Sequence, residues 1–258
     1  MTETQRLNLT SPSRKLAYRL LPGNAPTVVF LHGLGSDMSG AKAEAIQAFC
    51  GKNQRQCLCF DLSGHGESDD TLQQEVISQW LNDIEALLAH INDKHYLLVG
   101  SSFGAWLSFL AARRRNHTGI VGIIAIAAAI DASHRLLLKE LTPAQRAELK
   151  KDHHVQFSIG CLNHQLSPAF FTDAERYLLL NDKNPSFAAP YPTCFLHGLQ
   201  DPTVPHSLAF EMLCALDSQH PHTMTLIKDG DHRLSDPFSL ARLTDCLQRL
   251  CKHYDTTH

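Results

Sequence analysis

No segment of this chain approaches the roughly 18 consecutive apolar residues that a membrane-spanning helix requires, so no span is expected. Nor does the N-terminus, Met1-Thr2-Glu3-Thr4-Gln5-Arg6, supply a basic region running into an apolar stretch, the mark of a secretory signal. Excess charge is lacking too. A formal net charge of -3 over 258 residues offers no footprint for nucleic acid or an anionic membrane surface. The eight cysteines (50, 57, 59, 161, 194, 214, 246 and 251) include no C-x-x-C pair, and Cys57-Leu58-Cys59 is wrongly spaced for a zinc knuckle. Several sit inside apolar runs, which suits reduced, packed thiols. There is no internal repeat and no low-complexity tract. The chain is expected to be soluble and cytoplasmic, and its length fits one large domain with an insertion as well as two small ones. Histidine is the one abundance: sixteen of them turn the net charge positive as pH falls through about 6.5, and most are expected on the surface.

The chain is organised around residues 96 to 106. An apolar run, Tyr96-Leu97-Leu98-Val99, breaks at Gly100-Ser101-Ser102-Phe103-Gly104 and resumes as Trp106-Leu107-Ser108-Phe109-Leu110. That pattern predicts a strand, a tight turn and a helix, with G-x-S-x-G across the turn and Ser102 at its centre. A serine held there stands clear of the strand end, beside the first free N–H groups of the helix. Gly100 and Gly104 are needed because the turn leaves no room for side chains at either position. A G-x-S-x-G by itself is also compatible with a plain small-residue turn.

Around this stretch, short apolar runs alternate with segments of helical period. Residues 6 to 9 and 15 to 20 predict an antiparallel hairpin at a sheet edge, with Thr10-Ser11-Pro12-Ser13 as its turn. Thr27-Val28-Val29-Phe30-Leu31, Cys57-Leu58-Cys59-Phe60 and the run from Ile120 to Ala127 read as buried parallel strands. So does Pro192-Thr193-Cys194-Phe195-Leu196-His197-Gly198, followed by Thr223-Met224-Thr225-Leu226-Ile227. Helices are expected from about Met38 to Cys50, Leu72 to Ile91, His206 to Leu216 and from Asp236-Pro237 onward. Three arginines, 113 to 115, close the helix after Ser102 and complement its negative end. Strands and helices alternating at this spacing call for an α/β fold with a mostly parallel sheet of about eight strands. The alternation lapses over 131–190, a mostly helical insertion with helix starts at Thr142-Pro143-Ala144-Gln145 and Thr172-Asp173-Ala174-Glu175. Residues 157 to 162 within it could be strand or loop. The core is then 1–130 and 191–258, with 131–190 as a lid. His153-His154 is expected at the surface, since adjacent residues rarely converge on one metal ion.

A neutral hydroxyl is a poor nucleophile, so Ser102 needs a histidine to take its proton and a carboxylate to orient that histidine. In a doubly wound sheet such groups meet at strand carboxyl ends. Asp201 follows one late strand and His232 follows the last, giving the chain order Ser102, Asp201, His232. Asp131, at the end of the strand from Ile120, is a rival acid. The two oxyanion donors are expected to be the backbone N–H groups of Phe103 and Leu34. His32 and His65 are expected to brace loops.

These residues resemble the α/β-hydrolase superfamily over essentially the whole chain. More narrowly, residues 35 to 43, 60 to 68 and 99 to 107 are similar to a branch of palmitoyl-protein thioesterases, also described as acyl-glucuronide esterases, and their bacterial relatives. That branch usually carries Met-Gly-Gly after the nucleophile, where this chain has Phe103-Gly104-Ala105. The resemblance implies a serine hydrolase acting on a small-molecule ester or thioester, or on an acylated protein, with no metal or cofactor. Gly33 and Met38 are then expected to line the substrate pocket. Amide, peptide or C–C bond hydrolysis by the same triad, or ligand binding without turnover, are the alternatives.

Overall fold

The computed structural model describes residues 2–10, 13–69, 76–159, 162–180 and 186–257. In chain order the elements begin with strands β1 (Gln5–Thr10), β2 (Ser13–Leu21) and β3 (Asn24–Leu31), then α1 (Ala41–Lys52) and β4 (Arg55–Phe60). Next come α2 (Ile77–Ile91), β5 (Tyr96–Ser101), α3 (Phe103–Arg114) and β6 (Ile120–Ile126). A π-helical turn (Ser133–Leu137) leads into α4 (Leu138–Glu140), α5 (Pro143–Lys150), β7 (Val155–Ile159), β8 (Leu162–Leu166) and α6 (Pro168–Ala174). The chain ends with β9 (Phe187–Ala188), β10 (Thr193–Gly198), α7 (His206–Ala215), β11 (Leu216–Asp217), β12 (His222–Ile227) and α8 (Pro237–Thr257).

Eight strands form one sheet in the order β1-β2-β4-β3-β5-β6-β10-β12. From β4 to β12 every pairing is parallel, while β1, β2 and β4 pair antiparallel at the edge. The central parallel strands β5 and β6 are almost wholly apolar and buried because both sheet faces are covered there, whereas the edge strand β12 carries His222, Thr223 and Thr225 and is only half-buried. Leu98 points into one core with Trp80 of α2 and Trp106 of α3. Its neighbours Leu97 and Val99 point into the other, against Leu247 and Leu250 of α8 and Ile46 of α1. All three residues are almost completely buried, so β5 is the centre of the molecule.

Several boundaries differ from the sequence reading, each for a local reason. α1 starts at Ala41 and not at Met38. Residues 37 to 39 are held in loop form: Asp37 Oδ1 accepts from Ser39 N–H, and Asp61 Oδ1 accepts from Met38 N–H. The Thr142 start is capped as expected, with Thr142 and Gln145 bonding each other reciprocally. The Thr172 start is not there. α6 begins one turn earlier, where the Ser167 hydroxyl accepts from Phe170 N–H and Pro168 occupies the first turn, and Thr172 merely donates back to the Pro168 carbonyl. The excursion between β6 and β10 is also less helical than expected, since β7 and β8 form an antiparallel hairpin within it. Residues 72–75, the start of the expected Leu72–Ile91 helix, lie outside the described residues. The three arginines closing α3 spread to separate partners: Arg115 pairs with Glu85 at 2.8 Å, Arg114 with Asn82 at 2.7 Å, and Arg113 reaches the Leu178 carbonyl at 3.4 Å. Seven of the eight cysteines are described, and all seven are free thiols. Among the described residues no helix is long and apolar enough to cross a membrane.

Candidate active site

The turn between β5 and α3 sets the geometry. Ser102 adopts φ 55° and ψ −115°, a conformation costing a non-glycine residue on the order of 1–3 kcal/mol. Its surroundings hold it there: Ser102 N–H donates to the Ile126 carbonyl at 2.7 Å, and its own carbonyl accepts from Ala105 and Ala129. The flanking glycines are obligatory. A Cβ on Gly100 would lie 2.4 Å from the Gly104 carbonyl oxygen, and one on Gly104 would lie 2.2 Å from that of Leu31. The hydroxyl of Ser102 therefore projects from the carboxyl edge of the sheet at a position the backbone cannot relax.

Two later loops reach the same place. Asp201 follows β10, and His232 follows β12, the next strand in the sheet. Their loops press together: a Cβ on Gly198 would lie 2.2 Å from the Gly230 carbonyl oxygen. His232 Nδ1 is 2.7 Å from Asp201 Oδ2, and His232 Nε2 is 3.1 Å from Ser102 Oγ. A carboxylate accepts, so Nδ1 carries the proton and Nε2 is free to accept from the serine hydroxyl. Asp201 Oδ1 takes two further N–H groups, from Thr203 at 2.8 Å and Val204 at 2.9 Å. Burial alone would raise the pKa of this carboxyl. Hydrogen bonds from His197 and His232 outweigh that and hold it well below the usual carboxylate range. The side chain of Asp201 is 1% exposed and that of His232 is 12% exposed, so the acid is dry while the imidazole meets the cleft.

Gly33 and Leu34 lie across from the serine, a Cβ on Gly33 being 3.3 Å from Ser102 Cβ. Among the described residues no protein acceptor takes the N–H of Leu34 or of Phe103. Two buried histidines brace this loop. Gly35 N–H donates to His65 Nε2 at 3.1 Å, and Leu62 N–H donates to His32 Nε2 at 3.1 Å. His32 Nδ1 in turn donates to the Gly33 carbonyl at 2.8 Å. Protonating Nε2 would set it against the Leu62 N–H, and burial lowers the His32 pKa from 6.5 to about 4. With the native pKa below the unfolded one, the unfolded chain binds the extra proton between those values. His32 thus contributes stability above pH 6.5 that is lost as pH falls to about 4, up to about 3 kcal/mol. Urea denaturation at pH 7 and pH 4.5 is expected to show that loss in the wild type and a smaller one in His32→Asn.

A cleft of about 500 Å³ opens over Ser102. Gly33, Leu34, Phe103, Ala129, Ala132, Leu136, Leu137 and Val204 give it an apolar side, while Ser36, Asp37, Lys42 and Arg233 give it a polar rim. Met38, expected to line this pocket, does not. It is fully buried below the loop in the core of α1 and α8, and only its backbone N–H reaches a loop residue, Asp61. The Phe103 ring is buried against Trp80, Trp106 and Phe170, so it joins the excursion to the turn at Ser102.

Asp131, the rival acid, has another task. Its two oxygens accept from Leu179 and Leu180 N–H, both at 2.8 Å, tying residues 179–180 back to the start of the excursion. An amide has one acceptor oxygen, so Asp131→Asn leaves one of these buried N–H groups facing an NH₂. The variant is expected to lose about 1–3 kcal/mol in urea denaturation while keeping ester turnover within about threefold of wild type. His153 and His154 are exposed as expected. Among the described residues no three His, Cys, Asp or Glu side chains are grouped to hold a metal ion. One neighbour of the site escaped the sequence reading, where it counted only as a strand residue: His197, fully buried, with Nε2 3.3 Å from Asp201 Oδ2.

Serine, acid and histidine in that chain order, at the carboxyl ends of a parallel sheet with the serine on a strained strand-to-helix turn, belong to one fold class, the α/β-hydrolases. The chain is a member of the alpha/beta hydrolase family, whose sequence model matches residues 28–243. It is 30% identical over 250 residues to the human palmitoyl-protein thioesterase ABHD10, mitochondrial, covering 93% of this chain and 78% of that one. The mouse alpha/beta hydrolase domain-containing protein 10 superposes with a TM-score of 0.86 at 26% identity, covering 98% of this chain and 100% of the other. A crystal structure from Agrobacterium vitis S4 gives a TM-score of 0.88 at 27% identity, covering 97% of this chain and 99% of that one.

Proposed function

We propose that this hydrolase cleaves carboxylic esters or thioesters through an acyl-enzyme on Ser102. The observation that carries the reading is the unbroken line from Ser102 Oγ through His232, at 3.1 Å and 2.7 Å, to a buried carboxylate. In this mechanism Ser102 Oγ attacks the substrate carbonyl carbon as its proton passes to His232 Nε2. Asp201 stabilises the imidazolium, and the Leu34 and Phe103 amides receive the oxyanion. Collapse breaks the bond to the alcohol or thiol, which leaves with the proton from His232. Water then gives a proton to the same nitrogen and attacks the acyl carbon, and collapse breaks the acyl–Oγ bond as His232 returns that proton to Ser102, freeing the acid.

The thioester side of the reading is supported by the name of the human relative, a palmitoyl-protein thioesterase. The apolar side of the cleft suits the acyl group, and the excursion over 131–190 acts as its lid, contributing Leu136 and Leu137. The substrate is a small-molecule ester or thioester, or an acylated protein. The test is fluorophosphonate labelling of wild type against Ser102→Ala, followed by p-nitrophenyl esters of increasing chain length, acyl-thioesters and matched anilides. Labelling confined to Ser102, with esters or thioesters turned over faster than anilides, is the expected result. Equal labelling of Ser102→Ala removes the acyl-enzyme. Faster anilides would favour amide hydrolysis, and labelling without any turnover would favour a binding protein.

A further inference from the structure

Asp201 has two imidazole neighbours, and the mechanism uses only one. His197 lies in β10, its side chain fully buried. Its Nε2 is 2.9 Å from the Val204 carbonyl oxygen and 3.3 Å from Asp201 Oδ2. A carbonyl oxygen can only accept, so the ring proton sits on Nε2 and Nδ1 holds the lone pair. That Nδ1 is buried and, among the described residues, has no hydrogen-bond partner. A bare ring nitrogen in a strand core is costly where leucine or phenylalanine would fill the space without an unpaired polar atom.

What offsets the cost lies at the carboxylate. The Nε2–H is shared between the Val204 carbonyl, which takes the shorter contact, and Oδ2, the oxygen that also receives His232 Nδ1–H at 2.7 Å. Oδ1 is already fixed by the Thr203 and Val204 amides. The same ring thus holds the loop that supplies one of those amides and flanks the oxygen facing His232. We propose that His197 is a positioning residue, locking the rotation of the Asp201 carboxylate so that Oδ2 stays aligned with His232. This rests on the reading of Ser102, His232 and Asp201 as the catalytic group. Because Oδ1 also accepts from the Thr203 N–H, whose residue His197 does not touch, the effect is smaller than loss of the acid itself.

The experiment is steady-state kinetics on a p-nitrophenyl ester with His197→Phe and His197→Gln, each checked for folding by thermal melting. The phenylalanine variant keeps a planar ring but no donor, and is expected to lose roughly tenfold in kcat with KM within about twofold of wild type. The glutamine variant offers an N–H near the Nε2 position and is expected to recover to within about threefold of wild-type kcat. Wild-type kcat in His197→Phe overturns the proposal, and so does an equal loss in His197→Gln. Should the phenylalanine variant not fold, His197→Leu supplies the donor-free state. Nitrogen-15 NMR of the wild type provides a check free of substitutions, since a proton found on His197 Nδ1 instead of Nε2 also overturns the proposal. Fluorophosphonate labelling in parallel separates the two readings. An unlabelled wild type fails the acyl-enzyme mechanism, whereas a labelled wild type with an unimpaired His197→Phe fails the role of His197 alone.

Discussion

Ser102→Ala is expected to lower kcat for an activated ester by about 10⁴-fold or more while leaving KM nearly unchanged. Alanine keeps the Cβ, so the strained φ of 55° and the Ser102 N–H bond to Ile126 are both retained. Only the hydroxyl oxygen and its 3.1 Å contact with His232 disappear. The melting temperature should therefore move by no more than a few degrees. Residual turnover above the uncatalysed rate would come from the oxyanion amides and from binding in the cleft. A folded Ser102→Ala enzyme with wild-type kcat would falsify the nucleophile assignment outright.

The second large effect is expected at the acid. Asp201→Asn places one oxygen and one NH₂ where two acceptors stood. If the oxygen stays with the Thr203 and Val204 amides, the NH₂ faces His232 Nδ1–H, donor against donor. The imidazole can escape only by moving its proton to Nε2, which removes the acceptor for Ser102. The wrong tautomer is thus built in, and kcat should fall by about 10³- to 10⁴-fold. Asp131→Asn is the matched control, because its oxygens serve the Leu179 and Leu180 amides. Turnover lost in Asp131→Asn and kept in Asp201→Asn would show that the acid has been misassigned. The two variants thus exchange phenotypes: one loses chemistry, the other stability.

Much of the frame could be read from residue order. A parallel strand covered on both faces must be largely apolar, so residues 28–31 of β3, 96–99 of β5, 194–196 of β10 and most of β6 stand out as short apolar runs. The strand-to-helix turn at Ser102 was legible because only glycine fits at positions 100 and 104. The excursion was harder. Ser167-Pro168 and Thr172-Asp173 carry similar cap chemistry, and which one starts α6 depends on what each serine or threonine meets in space. Met38 misled because an apolar residue beside a site loop can face the pocket or the core, and its sequence neighbours do not distinguish the two.

The sequence by itself determined the fold class, the turn that presents Ser102, and the order of serine, acid and histidine. These follow from local sterics and from burial patterns spanning a few residues. Only the tertiary structure decided which aspartate faces His232, that Asp131 ties down the excursion, and that His197 stands beside the acid. Hydrogen-bonding reach between side chains 31 or 130 residues apart is set by how strands stack and loops meet, and no local pattern encodes it.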